Sequence, residues 1–224
     1  MGPAADAAPR YPSTVAAPVE HELVIKRSRF LALAHPVASV AEADAVVAGV
    51  RKRYWDARHH CVALAVGPLA EQQRSTDDGE PSGTAGVPML EVLRRRELTD
   101  LVVVVTRYFG GVLLGAGGLV RAYSSATSEV LDRARVLRRS AAVRVTVDVP
   151  HADAGRLHGL LLDWAEAHDA GLADVAYGSE ATFELLVPPA HLDAFDAALA
   201  AATAGSRHAA RGATEILTRV AETR

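Results

Sequence analysis

With one cysteine, Cys61, in 224 residues, the chain has no internal disulfide to make. Aromatic residues are scarce at 5%, so any core must be built from the aliphatic side chains that bring the hydrophobic share to 50%. No apolar run approaches the ~20 residues that a membrane-spanning helix needs. The first eighteen residues are rich in Ala and Pro, contain Asp6, and have no basic stretch ahead of an apolar one, as a secretion signal requires. These absences argue against a disulfide scaffold, a membrane span and an exported protein. The expectation is a cytoplasmic chain with no membrane partner and a disordered tail over residues 1–18.

Two nucleotide signatures are missing as well. No G-x-x-x-x-G-K-[ST] occurs, and Gly115-Ala116-Gly117-Gly118-Leu119-Val120 has Val120 where a dinucleotide fingerprint needs its third glycine. Negative charge is weak overall, at −3, but unevenly spread. Residues 1–140 hold 18 Lys and Arg against 15 Asp and Glu, whereas residues 141–224 hold 6 against 12. The more basic part contains Arg51-Lys52-Arg53 and Arg94-Arg95-Arg96, each placed by the pattern at the C-terminal end of a helix. There a cation interacts favourably with the helix dipole, which explains both clusters without a ligand.

What is present in quantity is glycine, gathered between Arg107 and Tyr123: R-Y-F-G-G-V-L-L-G-A-G-G-L-V-R-A-Y. The apolar run Leu101 to Val105 precedes it, so the segment reads as a strand feeding a turn and then a helix. Glycines let a ligand approach the main chain, and N–H groups opening a helix favour an anion. Arg107 and Arg121 flank the turn, and two guanidiniums could fork onto one anion. The candidate phosphate-binding or nucleic-acid-binding set is Arg107, Tyr108, Phe109, Gly110, Gly111, Gly115, Gly117, Gly118 and Arg121. Either Tyr108 or Phe109 could anchor the turn while the other stacks on a base, or both could be core. The plain alternative for the glycines is tight turns and close helix-on-sheet packing.

A second dense segment is Asp77-Asp78-Gly79-Glu80-Pro81-Ser82-Gly83-Thr84-Ala85-Gly86, ahead of a helix expected from Thr84 or Val87 to Arg96. Ser82, Gly83 and Thr84 join the candidate phosphate set. Asp77, Asp78 and Glu80 offer hard oxygen ligands for Mg2+ beside a phosphate. The competing reading is a solvated turn, with Ser82 or Thr84 capping the helix. His59-His60-Cys61 lacks a fourth ligand at metal spacing, which leaves Cys61 as a small core residue and His60 as its satisfied neighbour.

Together the two segments resemble the YigZ/Impact family of translation regulators. The resemblance is carried by D-D-G-E-P-S-G-T-A-G at residues 77–86, Arg107-Tyr108-Phe109-Gly110-Gly111, and L-G-A-G-G-L-V-R-A-Y at residues 114–123. Ser28-Arg29-Phe30 and His60-Cys61 sit where shorter motifs of that family are expected. The resemblance implies an α+β first domain of the ribosomal-protein and translocase kind over residues 19–140, followed by a ferredoxin-like domain over 141–224. This order is similar to the fourth and fifth domains of the translocating elongation factor. A fainter likeness, Gly117 to Ala126 to the phosphate loop of small-metabolite kinases, has Ser124-Ser125-Ala126 displaced by over a helical turn.

Periodicity describes the rest. Strands are expected at Glu20 to Ile25, Arg29 to Val37, His59 to Val66 and Leu101 to Thr106, the last central and covered on both faces. Ser39-Val40-Ala41-Glu42 is a capping box opening a helix whose stripe is Val40, Ala43, Val47, Val50 and Tyr54. Gly67 to Gly83 reads as a long surface loop. From Val143 the pattern is strand, helix, two strands around Gly178-Ser179-Glu180, helix and strand, the βαββαβ order of the ferredoxin-like sandwich. The expected function is a translation-related regulatory module binding RNA or the ribosome, with no required cofactor. The alternatives are a Mg2+-dependent small-molecule phosphate enzyme and a regulator that docks on a protein.

Overall fold

The computed structural model describes residues 10–220. The chain divides into two compact units, with Pro12–Arg138 the body of the first and Arg139–Thr218 that of the second. The division falls inside one continuous strand, Val136–Val149, so no loop marks the boundary expected at residue 140.

In the first unit, β2 (Val19–Ile25), β3 (Ser28–Pro36), β4 (His59–Val66), β5 (Gln72–Thr76) and β6 (Leu101–Tyr108) form one antiparallel sheet. Its order is β2-β3-β6-β4-β5. The branched run of β6 is central, as its apolar continuity requires. Leu101, Val103 and Val105 face the cluster under α2 (Gly86–Arg95) and α3 (Ala116–Asp132). Val102 and Val104 face the cluster under α1 (Val40–Arg53). On α3, Leu119, Ala122, Tyr123, Ala126 and Val130 are all buried, the stripe that the sequence spacing gives. Helix α1 is capped by Ser39, whose Oγ accepts from Glu42 N, while the Glu42 carboxylate accepts from Ala38 N. It packs on β4 and β6 and leaves the same face of β3 half-open at Leu31 and Leu33.

Two expectations are corrected here. The tail expected over residues 1–18 contains a strand, β1 (Arg10–Val15), with residues 1–9 outside the described part. Val15 enters the core, and Ser13 exchanges backbone bonds with Glu97 and Thr99, so burial overrides the Ala/Pro-rich composition. The loop expected over Gly67 to Gly83 contains β5, whose exposed Gln-Gln-Arg-Ser-Thr sequence has no apolar alternation to betray it.

The second unit follows β7 (Val136–Val149), α4 (His151–Ala167), β8 (Gly171–Tyr177), β9 (Ala181–Val187), a 3-10 turn at Pro189–His191, α5 (Leu192–Ala202) and β10 (Ala210–Val220). Strand β7 lies between β10 and β9, β9 lies beside β8, and β1 also joins β7. That strand order and the two crossovers through α4 and α5 make it the ferredoxin-like sandwich expected from the sequence. Val145, Val147, Phe183, Leu185, Leu157, Leu161, Phe195 and Leu199 fill its core.

Candidate functional site

The two motif segments meet, but through side chains that are buried. Arg107 lies at the end of β6 with its side chain 7% exposed, and its Nη1 donates to Glu80 Oε1 at 2.7 Å. Tyr123 OH donates to the same Glu80 oxygen at 2.8 Å from α3. Ser28 Oγ accepts from Arg107 Nη2 at 3.4 Å and from Gly110 N at 3.1 Å. The Arg107 guanidinium also lies 5.4 Å from the Phe30 ring centre and 5.6 Å from that of Phe109. Phe30 in turn packs edge-on to Tyr123. This knot ties β3, the Asp77–Gly86 segment, β6 and α3 together. Arg107 is therefore spent inside the protein and does not join Arg121 on an external anion, which corrects the expectation of a two-arginine fork.

The acidic segment is internally engaged too. Asp77 accepts from the N–H groups of Gly83, Ala85 and Gly86, closing the start of α2. Burial works to raise its pKa, but those three donors outweigh it and hold the carboxyl below its ordinary value. Asp78 accepts from His60 N and pairs with Arg51, while Glu80 faces Arg107. The three carboxylates turn to separate partners, which disfavours the alternative of a Mg2+ site at Asp77, Asp78 and Glu80. No group of three or more His, Cys, Asp or Glu able to hold a metal occurs among the described residues. Ser82 and Gly83 are exposed. Thr84 is buried, its hydroxyl donating to Pro81 O at 2.6 Å, so neither Ser82 nor Thr84 caps the helix; Asp77 does so from outside. Gly86 is needed because a Cβ there would come within 2.8 Å of the Thr76 backbone.

Cys61 is buried, and that burial pushes its thiol up to about 12. Burial likewise raises the Tyr123 phenol and lowers His60, whose Nδ1 shares a hydrogen bond with Thr106 Oγ1. Cys61 and Tyr123 are thereby held in their protonated forms near neutral pH.

The exposed half of the motif differs. Gly110 passes the β2–β3 turn so closely that a Cβ would sit 2.0 Å from the Arg27 carbonyl carbon. On either side of it Phe109, Gly111, Val112 and Leu113 are exposed, Leu113 at 83%. Gly115, at φ 71°, is the N-cap of α3 and has no side chain to close the helix start. Leu119 N is bonded to Gly115 O, which leaves the N–H groups of Ala116, Gly117 and Gly118 as the helix's open donors. Arg121 is exposed, one turn in, and has no ion-pair partner among the described residues. Tyr108 turns the other way and donates its hydroxyl to Asp56 at 2.6 Å.

Sequence reasoning overlooked two cations beside this turn. Lys26 and Arg27 form the two-residue loop between β2 and β3, with φ of 45° and 68°. Such a loop ordinarily uses Asn-Gly, because side-chain-bearing residues are strained in the left-handed region. Both side chains are exposed and neither has an ion-pair partner among the described residues. A Lys-Arg pair in a two-residue hairpin was the available signal.

Comparison with known proteins identifies two domains in the chain. Residues 26–131 match the model of the Impact N-terminal domain, and residues 147–206 match a domain of unknown function, DUF1949. The IMPACT family member YvyE of Bacillus subtilis is 40% identical over 176 residues, 79% of each chain. The IMPACT family member YigZ of Escherichia coli is 35% identical over 193 residues, 85% of this chain and 93% of that one. A crystal structure of a hypothetical protein superposes with a TM-score of 0.57 at 34% identity, covering 89% of this chain and 96% of its own. Two domain matches in order and relatives aligned over most of their length lead to one statement: the chain belongs to the YigZ/Impact family.

Proposed function

We propose that this protein is a cytoplasmic, translation-related regulatory module whose first unit binds the phosphodiester backbone of RNA, free or in a ribosome. The contact surface is the turn of residues 109–115, the opening of α3, and the side chains of Lys26, Arg27 and Arg121. The observation that carries the reading is an uncapped helix start with the exposed Arg121 one turn in, preceded by a glycine turn whose Gly110 packs on the backbone of Arg27 in the exposed Lys26-Arg27 loop. Open N–H groups and the helix dipole favour a phosphate there, and the glycines let it reach the main chain. Strain in the Lys26-Arg27 loop is supporting, since left-handed non-glycine residues gather at binding sites. Phe109, 55% exposed, offers a ring face to a base.

The test is fluorescence anisotropy of labelled single-stranded RNA and of ribosomal particles against wild type and a Lys26→Ala/Arg27→Ala/Arg121→Ala variant at two salt concentrations. Affinity that drops with salt in the wild type and is largely lost in the variant supports the reading. Equal affinity of both proteins rejects it, and salt-independent capture of a protein alone would favour a docking regulator.

A further inference from the structure

The helix that covers the other face of the first sheet ends at Arg53 and runs on into a turn, the whole reading R-K-R-Y-W-D-A-R over residues 51–58, with two aromatics set between cations. Trp55 is 82% exposed, an unusual position for so large an apolar side chain. Lys52 and Arg58 are exposed, with no ion-pair partner among the described residues. Beside this segment runs a trench of about 280 Å3, where α1 stops short of β3 and β2. Leu31, Leu33 and the buried Thr106 floor it, and Tyr54 and Arg53 form one wall. Arg53 lies 4.9 Å from the Tyr54 ring centre and pairs across the trench with Glu20. Farther along the same face, Arg29 lies 5.6 Å from the Tyr108 ring centre and pairs with Glu22.

The geometry points to a second RNA-contacting surface, in which an unpaired base enters the trench against Tyr54 and Arg53 while Trp55 stacks the neighbouring base. The partner's identity as RNA rests on the function proposed above. The trench itself is argued from its own chemistry. Its volume lies just below the usual range of ligand cavities and is enough for one flat ring. A base has two faces to offer the aromatic and guanidinium planes, and splayed bases of single strands are recognised in that way. The carboxylates of Glu20 and Glu22 are each neutralised by an arginine, so they accept from a base's amino group without repelling the strand. Lys52 and Arg58 remain for the flanking phosphates. A protein helix would need a longer apolar groove than Leu31, Ala32, Leu33 and Val50 provide among the charged residues that line the trench. Duplex RNA cannot deliver a base without unstacking it.

The chain has two tryptophans, Trp55 and Trp164, so the full-length Trp164→Phe variant reports Trp55 fluorescence alone. It is titrated with a twelve-nucleotide single-stranded RNA and with its duplex. Saturable quenching by the single strand, and little by the duplex, is the expected result. Trp55→Ala, in the otherwise native chain, lowers single-strand affinity measured by anisotropy about tenfold and leaves duplex affinity unchanged. The anisotropy arm also stands alone if Trp164→Phe disturbs the second unit's core. RNA binding with Trp55 emission unmoved and Trp55→Ala unchanged overturns the trench but leaves the glycine-turn reading standing. No RNA binding in any form overturns both.

Discussion

Arg107 and Arg121 stand fourteen positions apart in one glycine-rich motif, yet the fold gives them opposite surroundings. Arg107 ends a central strand, is 7% exposed, and is held by Glu80 and Ser28 beneath the glycine turn. Arg121 stands on the first turns of α3, exposed and without an ion-pair partner among the described residues. The glycines divide in the same way. Gly110 and Gly86 exist because neighbouring backbone leaves no room for a Cβ, whereas Gly111 and Gly115 have open space and a positive φ. A dense motif of this kind is two things at once: a knot that fixes a turn, and the turn that the knot presents.

The comparison breaks most visibly at Arg107. Arg107→Ala strands a buried carboxylate, and urea denaturation is expected to show a loss of about 3–5 kcal/mol. Removing Glu80 as well should cost less than the two single losses together, because the pair is coupled. Arg121→Ala should stay within about 0.5 kcal/mol of wild type in the same assay. Equal stability losses at the two arginines would erase the distinction.

Gly110→Ala comes next. Its methyl meets backbone that cannot step aside, so a destabilisation of about 1–3 kcal/mol is expected from thermal or urea unfolding. Gly117→Ala sharpens the contrast. Gly117 is helical with only the flexible Arg121 nearby, so alanine should raise stability by up to about 1 kcal/mol while impeding a phosphate's approach to the main chain. Higher melting temperature with weaker RNA binding is the expected pair of readings.

Asp77→Ala removes the outside cap of α2 and should cost about 1–2 kcal/mol at neutral pH. The sign of its pH dependence follows from the lowered carboxyl. The native state binds the proton less readily than the unfolded chain, so this stabilisation is fully present above the unfolded pKa. It is lost as pH falls through the lower native value. Unfolding measured from about pH 6 down to pH 2 should therefore find the gap between wild type and Asp77→Ala narrowing below about pH 4. A constant gap would mean that Asp77 does not act through its charge.

Much of this architecture is legible in the sequence where burial is one-sided and regular. Val143 to Val149 alternates, β6 is continuously branched, and the α3 stripe has helical spacing, so the second unit and the central strand follow from periodicity alone. Strands β1 and β5 do not, because one lies within Ala/Pro-rich composition and the other is a polar edge with no apolar face to display. For the site, the sequence marks the segments that the fold brings together but not which way their side chains point. Nothing local distinguishes an arginine paired to a buried glutamate 27 positions upstream from one facing water. Lys26 and Arg27 escaped notice because their importance comes from the close passage of Gly110, a contact 83 positions away in sequence.

The most direct test of this division is the salt dependence of RNA affinity for wild type and Arg121→Ala, with melting curves taken on the same samples. The account predicts unchanged melting, weaker binding, and a slope of log affinity against log salt shallower by about one unit, as expected for one lost phosphate contact. Identical affinity and slope in the two proteins would contradict it.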